Sequence, residues 1–241
     1  MFQIELAEKI IRIHNHYSYV EKICGDYIVD NNLPFQLEVD VPETFIKDTQ
    51  NQASFTRSLG YCESICIYRQ IAQKFLNHHT MVLHGAVISC EDKGLGFLAK
   101  SGTGKSTHVR LWKDLLGEKV TIVNGDKPLI QYKEETGSFL AWGTPWCGKE
   151  NWGCNRSTVL HALCFLVRGE TNQIREMNSI EVIDKIFHQL LVPEEEELLK
   201  KEMDLIEQLL EKVPFYELTC NMEIEAAKVA YHGMMERMGY L

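Results

Sequence analysis

The sequence has no long apolar run and no obvious targeting segment. No stretch approaches the roughly 18 apolar residues of a membrane span. Glu5 and Glu8 interrupt the amino-terminal stretch in which a signal peptide needs an uncharged apolar region. We therefore expect a cytoplasmic protein that is not associated with a membrane.

The cysteines lack the spacing of a metal site or a disulfide framework. The chain has eight of them and no CxxC pair, and Cys62 and Cys66 have no histidine or second cysteine pair nearby in sequence to complete a zinc site. Cys164 lies inside an apolar run at residues 162–167. We expect buried, reduced thiols, which behave as small hydrophobic side chains, and no structural metal.

Basic residues are outnumbered. The chain has 25 Lys and Arg against 34 Asp and Glu, a formal charge of −9, so its surface repels phosphate backbones and general nucleic-acid binding is not expected. Repeats and low-complexity linkers are also absent. With 241 residues, 45% of them hydrophobic, the sequence indicates one large domain or a core with a small appended one.

The apolar pattern changes character near residue 80. Residues 1–80 are typical of a small α+β module, and residues 81–241 are expected to form the main core. In the module we expect strands at residues 27–29 and 35–41 and a helix at 63–76. In the core the pattern predicts strands at 81–89, 95–99, 120–123, 129–132, 139–142, 162–167 and 215–219, and helices from Thr107 to Gly117, at 180–191, at 194–210 and after Asn221.

A phosphate-binding loop is predicted between the second core strand and the helix that ends at Gly117. Such loops wrap backbone N–H groups around phosphate oxygens, extend a lysine to the β and γ phosphates and bind Mg²⁺ through a hydroxyl. Gly102 and Gly104 would allow the close approach, Lys105 would supply the cation and Ser106 the metal ligand; Ala99 stands where the pattern has its first glycine. The alternative is a glycine turn that caps a helix and leaves a lysine exposed. We expect ATP and Mg²⁺ to bind at Ser101, Gly102, Thr103, Gly104, Lys105, Ser106 and Thr107.

Two further residues have positions suited to phosphoryl transfer. Asp126 follows the apolar strand at 120–123 and lies 21 residues after Lys105, as a metal-binding carboxylate on a neighbouring strand would. The alternative is an aspartate that shapes a turn. His84 precedes Lys105 by the same interval and by itself is more typical of a core histidine. His108, just after the loop, would face either the nucleotide or solvent.

These segments together resemble the HPr serine kinase and phosphoenolpyruvate carboxykinase group. The resemblance rests on the loop at residues 101–108, the strand end at 124–128 and a Gly-Thr-Pro-Trp-x-Gly-Lys segment at 143–149. It implies an α/β fold with α+β character: a P-loop core of mixed sheet with flanking helices, entered from an antiparallel hairpin.

The resemblance also implies roles for individual residues. His84 matches a histidine that reaches the metal region, and Asp126 matches the second of two paired aspartates, so both are candidate metal ligands and catalytic residues beside Lys105. Gly125 replaces the first aspartate, so one carboxylate would hold magnesium and also orient or deprotonate the acceptor hydroxyl. Lys149 and Asn155 would meet the transferring phosphate or the acceptor.

We therefore expect an ATP-dependent kinase that acts on a hydroxyl, with serine of a protein or peptide as the leading acceptor. Alternatives are a kinase of small hydroxyl compounds and a nucleotide-binding regulatory protein with weakened catalysis, the latter motivated by Gly125. The resemblance also allows phosphorylase activity on phosphoserine and implies self-association. Carboxykinase activity is disfavoured because those enzymes are about twice this length. The sequence assigns no role to residues 1–80.

Overall fold

The computed structural model describes residues 1–52 and 56–235. The chain divides into two compact units, Met1–His78 and His79–Leu241. In the described part of the chain, no helix combines the length and apolarity needed to cross a membrane. All eight cysteines carry free thiols, and six of them are buried.

In its described residues, the first unit is a small sheet with three α-helices. Its strands are β1 (Phe2–Leu6), β2 (Lys9–His14), β3 (Ile28–Val29) and β4 (Leu37–Asp40), and its helices are α1 (Ser18–Ile23), α2 (Glu43–Gln52) and α3 (Leu59–Phe75). The described strands pair in the order β3-β1-β2-β4. Ala7 and Glu8 join β1 to β2 with positive φ angles of 44° and 64°, as a tight hairpin requires.

Burial explains which parts of this unit the sequence predicts. Ile67, Ile71 and Phe75 recur at helical spacing in α3 and are fully buried, so their periodicity is visible in the sequence. The sequence does not predict α1 or α2, in each of which only one residue is buried: Val20 and Ile46.

The second unit is built on a mixed sheet. Its strands are β5 (Thr80–Val82), β6 (Gly85–Cys90), β7 (Lys93–Leu98), β8 (Val120–Asn124), β9 (Leu129–Lys133), β10 (Ser138–Trp142), β11 (Ser157–Arg168), β12 (Gln173–Glu176) and β13 (Phe215–Cys220). In the described residues, seven strands follow the order β5-β9-β10-β11-β7-β6-β8, β13 adds beside β11, and β12 pairs with β13. The pairing of β11 with β7 and with β13 is parallel, whereas β6 runs antiparallel to β7 and β8.

Helices of this unit include α4 (Lys105–Leu116), α5 (Ser179–Ile186), α6 (Glu196–Lys212) and α7 (Ile224–Met235). The sequence predicts one helix over residues 180–191; this is wrong in length, because α5 ends at Ile186 and a single 3-10 turn, Phe187–Gln189, follows. Strand β12 is not predicted either; its pattern is mostly exposed, so it has no apolar alternation to detect.

The predicted strand over residues 81–89 is two strands in the structure. β5 pairs with β9, and β6 pairs with β7 and β8, so the chain changes partners between them. At the break, Leu83 N–H donates to Pro128 O and His84 N–H donates to Gln189 O at 2.7 Å. The break therefore places His84 at the end of β6, outside the regular ladder.

The core of the second unit fixes the helix that follows the glycine loop. Trp112 of α4 is fully buried, and its Nε1 donates to His108 Nε2 at 3.0 Å. The His108 ring lies edge-on to Phe97 with a centroid distance of 4.8 Å. Both expectations for His108 are wrong, because it faces this core rather than a nucleotide or solvent. Burial lowers the pKa of His108 to about 4.

Candidate functional site

The segment between β7 and α4 is a glycine loop, which we define as residues 99–105. Gly102 and Gly104 adopt φ angles of +79° and +124°, and a Cβ added at either would meet no atom within 4 Å. These torsions strain any other residue, so glycine is required by backbone conformation and not by crowding. The loop ends where α4 begins, with His108 N–H donating to Gly104 O at 2.9 Å, and a helix amino terminus favours an anion.

Arg168 supports this loop from the neighbouring strand. β11 extends beyond its pairing with Leu98 of β7, and Arg168 is its last residue. The Arg168 guanidinium donates to Thr103 O at 3.1 Å and to Gly102 O. Arg168 is not among the site residues predicted from the sequence; the available signal was a cation at the end of a buried strand.

Lys105, His84 and Asp126 lie together beneath the loop. Lys105 Nζ is 3.0 Å from Ala99 O and 3.2 Å from His84 Nε2, and the same His84 nitrogen is 3.3 Å from Asp126 Oδ1. That nitrogen either accepts from Lys105 or donates to Asp126, and it cannot do both at once. When His84 Nε2 does not accept from Lys105, it is free to donate to Asp126. Burial lowers the pKa of Lys105.

The turn that carries Asp126 is shaped by a buried asparagine. Asn124 is fully buried, and its Oδ1 accepts from the N–H groups of Asp126 at 2.9 Å and Lys127 at 2.8 Å. Its Nδ2 donates to Thr144 O and Oγ1, at 3.2 Å and 3.0 Å, which fixes the segment after β10 to the same turn. Asn124 is thus a positioning residue for Asp126.

Asp126 is an ionised carboxylate at neutral pH. Burial by itself raises its pKa, but the hydrogen bond from His84 and the charge of Lys127, whose Nζ is 2.5 Å from Oδ2, together lower that pKa to about 2. A carboxylate with so low a pKa is a good ligand for a cation and a weak acceptor of protons.

Gly125 is enclosed by backbone atoms. A Cβ at this position would lie 2.9 Å from Cys147 O and 3.2 Å from Trp152 O, and Gly125 N–H donates to Trp152 O at 2.7 Å. An aspartate here would require the segment at residues 143–154 to move. The single acid at this strand end is therefore a consequence of how that segment packs.

A second carboxylate, which is not among the predicted site residues, lies near Asp126. A Cβ built on Gly148 would be 3.7 Å from Asp126 Cγ and 3.7 Å from Glu150 Oε2, so both carboxyl groups flank Gly148. The side chain of Glu150 is 22% exposed, whereas that of Lys149 is 89% exposed and reaches Glu150 at 3.8 Å. Asn155 is exposed just before β11. The acceptor-binding roles of Lys149 and Asn155 stay predictions.

Among known proteins, the chain has loose structural similarity to solved structures. No family model and no curated protein matches the chain. The solved structure of the HPr(Ser) kinase/phosphatase from Coxiella burnetii overlaps 66% of this chain and 94% of its own, with 12% sequence identity and a TM-score of 0.39. An overlap this loose assigns neither a family nor an activity.

The donors beneath the loop fit magnesium better than a metal held by protein alone. Within residues 1–52 and 56–235, no cluster of three or more His, Cys, Asp and Glu is arranged to hold a metal ion. Magnesium does not need such a cluster, because it is usually bound by one or two carboxylates with phosphate oxygens and water. Asp126 and the Ser106 hydroxyl, at the start of α4, have the matching chemistry. His84 instead forms contacts to Lys105 and Asp126, and its direct contact with metal stays a prediction.

Proposed function

We propose that the chain is an ATP-dependent phosphotransferase that transfers the γ-phosphate to a hydroxyl. The observation that carries the proposal is the convergence of Lys105, His84 and Asp126 beneath a glycine loop at the amino terminus of α4. A lysine there neutralises the β and γ phosphates, and an ionised carboxylate beside it is what phosphoryl transfer requires near the reacting phosphate. The loop residues 101–107 are proposed to hold the triphosphate.

The residues at the loop would have separate roles in phosphoryl transfer. Magnesium, when bound, would neutralise charge on the phosphate oxygens, with Ser106 and Asp126 as its protein ligands. The low pKa of Asp126 favours a role in orienting the acceptor hydroxyl over early removal of its proton. Orientation is sufficient for a loose transition state, in which the attacking oxygen acquires little charge. His84 would hold Asp126 in place after Lys105 moves to the phosphate.

A second candidate is a nucleotide-binding regulatory protein with weakened catalysis. The enclosure of Gly125 favours it, because the strand end has no room for the second acid that the family resemblance leads one to expect. Both candidates require ATP binding, and they differ only in whether a phosphoryl group is transferred.

Transfer from radiolabelled ATP separates the two candidates. Seryl peptides, seryl proteins and small hydroxyl compounds would be offered with Mg²⁺ to the wild type, to Asp126→Asn and to the control Asp114→Asn, which alters an exposed carboxylate of α4. We expect labelling by the wild type and the control, and a loss of about 100-fold in Asp126→Asn with ATP still bound. ATP binding without any labelled acceptor would favour the regulatory protein, and no ATP binding would contradict both.

A further inference from the structure

A cavity of about 660 Å³ adjoins the glycine loop, within the volume range of small-molecule sites. Its walls are the first part of the loop at residues 99–103, the end of β11 at residues 165–168, and residues 184, 185, 188 and 189 in and after α5. Loop residues 101–103 also belong to the proposed phosphate site, whereas the walls from β11 and from α5 with its following turn have no role in that site.

The position of Lys105 shows which end of a bound triphosphate the cavity would meet. In a phosphate-binding loop the lysine reaches the β and γ phosphates. Lys105 Nζ is 3.0 Å from the carbonyl oxygen of Ala99, which is a residue of the cavity wall. The cavity therefore adjoins the γ-phosphate end, where an acceptor must enter.

Gln189 connects the cavity to the residues beneath the loop. It lines the cavity, is 3% exposed, and its carbonyl oxygen accepts from His84 N–H at 2.7 Å. With its amide nitrogen facing the carbonyl groups, the side chain also donates to Ala99 O at 3.2 Å and His84 O at 2.9 Å. The same side chain thus contacts the cavity wall and the backbone that positions His84.

The lining of the cavity favours an anionic ligand. Lys100, Arg168 and Lys185 line it against one acid, Asp184, although the whole chain carries a formal charge of −9. Lys185 also contacts Glu217 outside the lining. Phe165 and Val167 add an apolar surface that suits a short carbon chain.

We propose that this cavity is the acceptor site, and that the acceptor is a small hydroxyl compound bearing a carboxylate or phosphate group. The assignment rests on the proposed function and deepens it. The acceptor oxygen forms a bond to the γ-phosphorus while the bond from that phosphorus to the β–γ bridging oxygen breaks. ADP leaves with the electron pair of the broken bond, and the hydroxyl proton is released to solvent. The products are a phosphate ester, ADP and a proton.

Filling the cavity tests the proposal. Val167→Trp places an indole in the cavity, and Ile180→Trp is its matched control, since Ile180 is 78% exposed on α5 and outside the lining. The probes are glycerate and glycerol phosphate, with glycerol as the neutral counterpart and a seryl peptide as the large acceptor. Their binding is followed by saturation-transfer NMR, phosphoryl transfer by radiolabelled ATP, and ATP affinity by calorimetry.

We expect at least one anionic probe to bind and to be labelled, with kcat/KM at least 10-fold above that of glycerol. Val167→Trp should lower that kcat/KM at least 10-fold through KM and leave ATP affinity unchanged, and Ile180→Trp should change neither. Asp184→Asn should act in the opposite direction and raise kcat/KM for the anionic probe a few fold, because it removes the one acid of the lining.

Four results would overturn the proposal. The first is that the seryl peptide is labelled and Val167→Trp leaves this labelling unchanged, and the second is that glycerol and the anionic probes are used equally well. The third is that Val167→Trp no longer binds ATP. The fourth is that the wild type binds ATP but neither binds nor labels any anionic probe. In each case the nucleotide site would stand. Failure of the wild type to bind ATP would instead overturn the proposed function, and the acceptor site with it.

Discussion

Two glycine-containing segments border the candidate site, and their glycines serve different purposes. In the glycine loop, Gly102 and Gly104 have positive φ angles and open space where a Cβ would lie. In the segment at residues 143–154, a Cβ on Gly143 would be 1.8 Å from Cys154 O, and one on Gly153 would be 2.9 Å from Cys147 Cβ. The first segment leaves room for a ligand, and the second allows backbone segments to touch. Substitutions should therefore affect binding in one and stability in the other.

The largest effect is expected for Gly143→Ala. The added methyl group would overlap Cys154 O and lie 2.7 Å from Val123 O, so backbone must move. We expect a loss of about 4 kcal/mol or more in the free energy of unfolding, measured by denaturant titration. A loss below about 1 kcal/mol would show that the packed segment tolerates side chains and would remove the contrast with the loop.

Gly125→Asp should restore no activity. The substitution supplies the acid that the family resemblance leads one to expect, but its Cβ would be forced against Cys147 O. We expect a loss of about 3 kcal/mol in the free energy of unfolding and no rise in transfer from radiolabelled ATP. A stable variant with faster transfer would contradict the packing argument and support the view that the missing acid limits catalysis.

His108 tests how firmly the helix after the open loop is fixed in the core. Burial holds its pKa at about 4 in the folded state, below its ordinary 6.5. The neutral ring stabilises the fold fully above pH 6.5, and this contribution is lost as pH falls from 6.5 toward 4, by up to about 3 kcal/mol. The difference in the free energy of unfolding between the wild type and His108→Gln should therefore decrease as pH falls from 6.5 toward 4.

Glu202 supplies a control of opposite sign for this pH series. It is buried in α6, and burial raises its pKa to about 7 from 4.5. Its contribution to the free energy of unfolding is fully present below pH 4.5 and is lost as pH rises through 7. Glu202→Gln should therefore remove a pH dependence of the free energy of unfolding that is opposite in sign to that of His108. If His108→Gln left the pH dependence of unfolding unchanged, His108 would titrate normally and would not belong to the core.

Among the glycine substitutions, the smallest change in stability is expected for Gly102→Ala. The residue must keep φ at +79°, which costs an alanine about 1 kcal/mol, and no atom opposes its Cβ. ATP affinity should nevertheless fall at least 10-fold, because the methyl group would point into the space proposed for phosphate. Calorimetry and denaturant unfolding measure the two quantities on one sample. Unchanged ATP affinity would mean that the open space is not the phosphate site.

Local patterns predicted the elements around the site, and tertiary packing determined the rest. The hairpin of β6 and β7, the loop and α4 follow from turn residues and helical spacing, and the structure has them. Chain topology, by contrast, brings Arg168 and Gln189 to the loop from distant segments, which no local pattern reveals. The crowding at Gly125 depends on a segment more than twenty residues further along, so its sequence neighbours do not show it.

The most direct test of the account is calorimetric titration of ATP with Mg²⁺ into the wild type, Lys105→Ala and the control Lys200→Ala, which alters an exposed lysine of α6. We expect binding by the wild type and by the control, and at least 100-fold weaker binding by Lys105→Ala with unfolding unchanged. Equal binding by wild type and Lys105→Ala, or no binding by the wild type, would contradict it and leave residues 101–107 as a turn that caps α4.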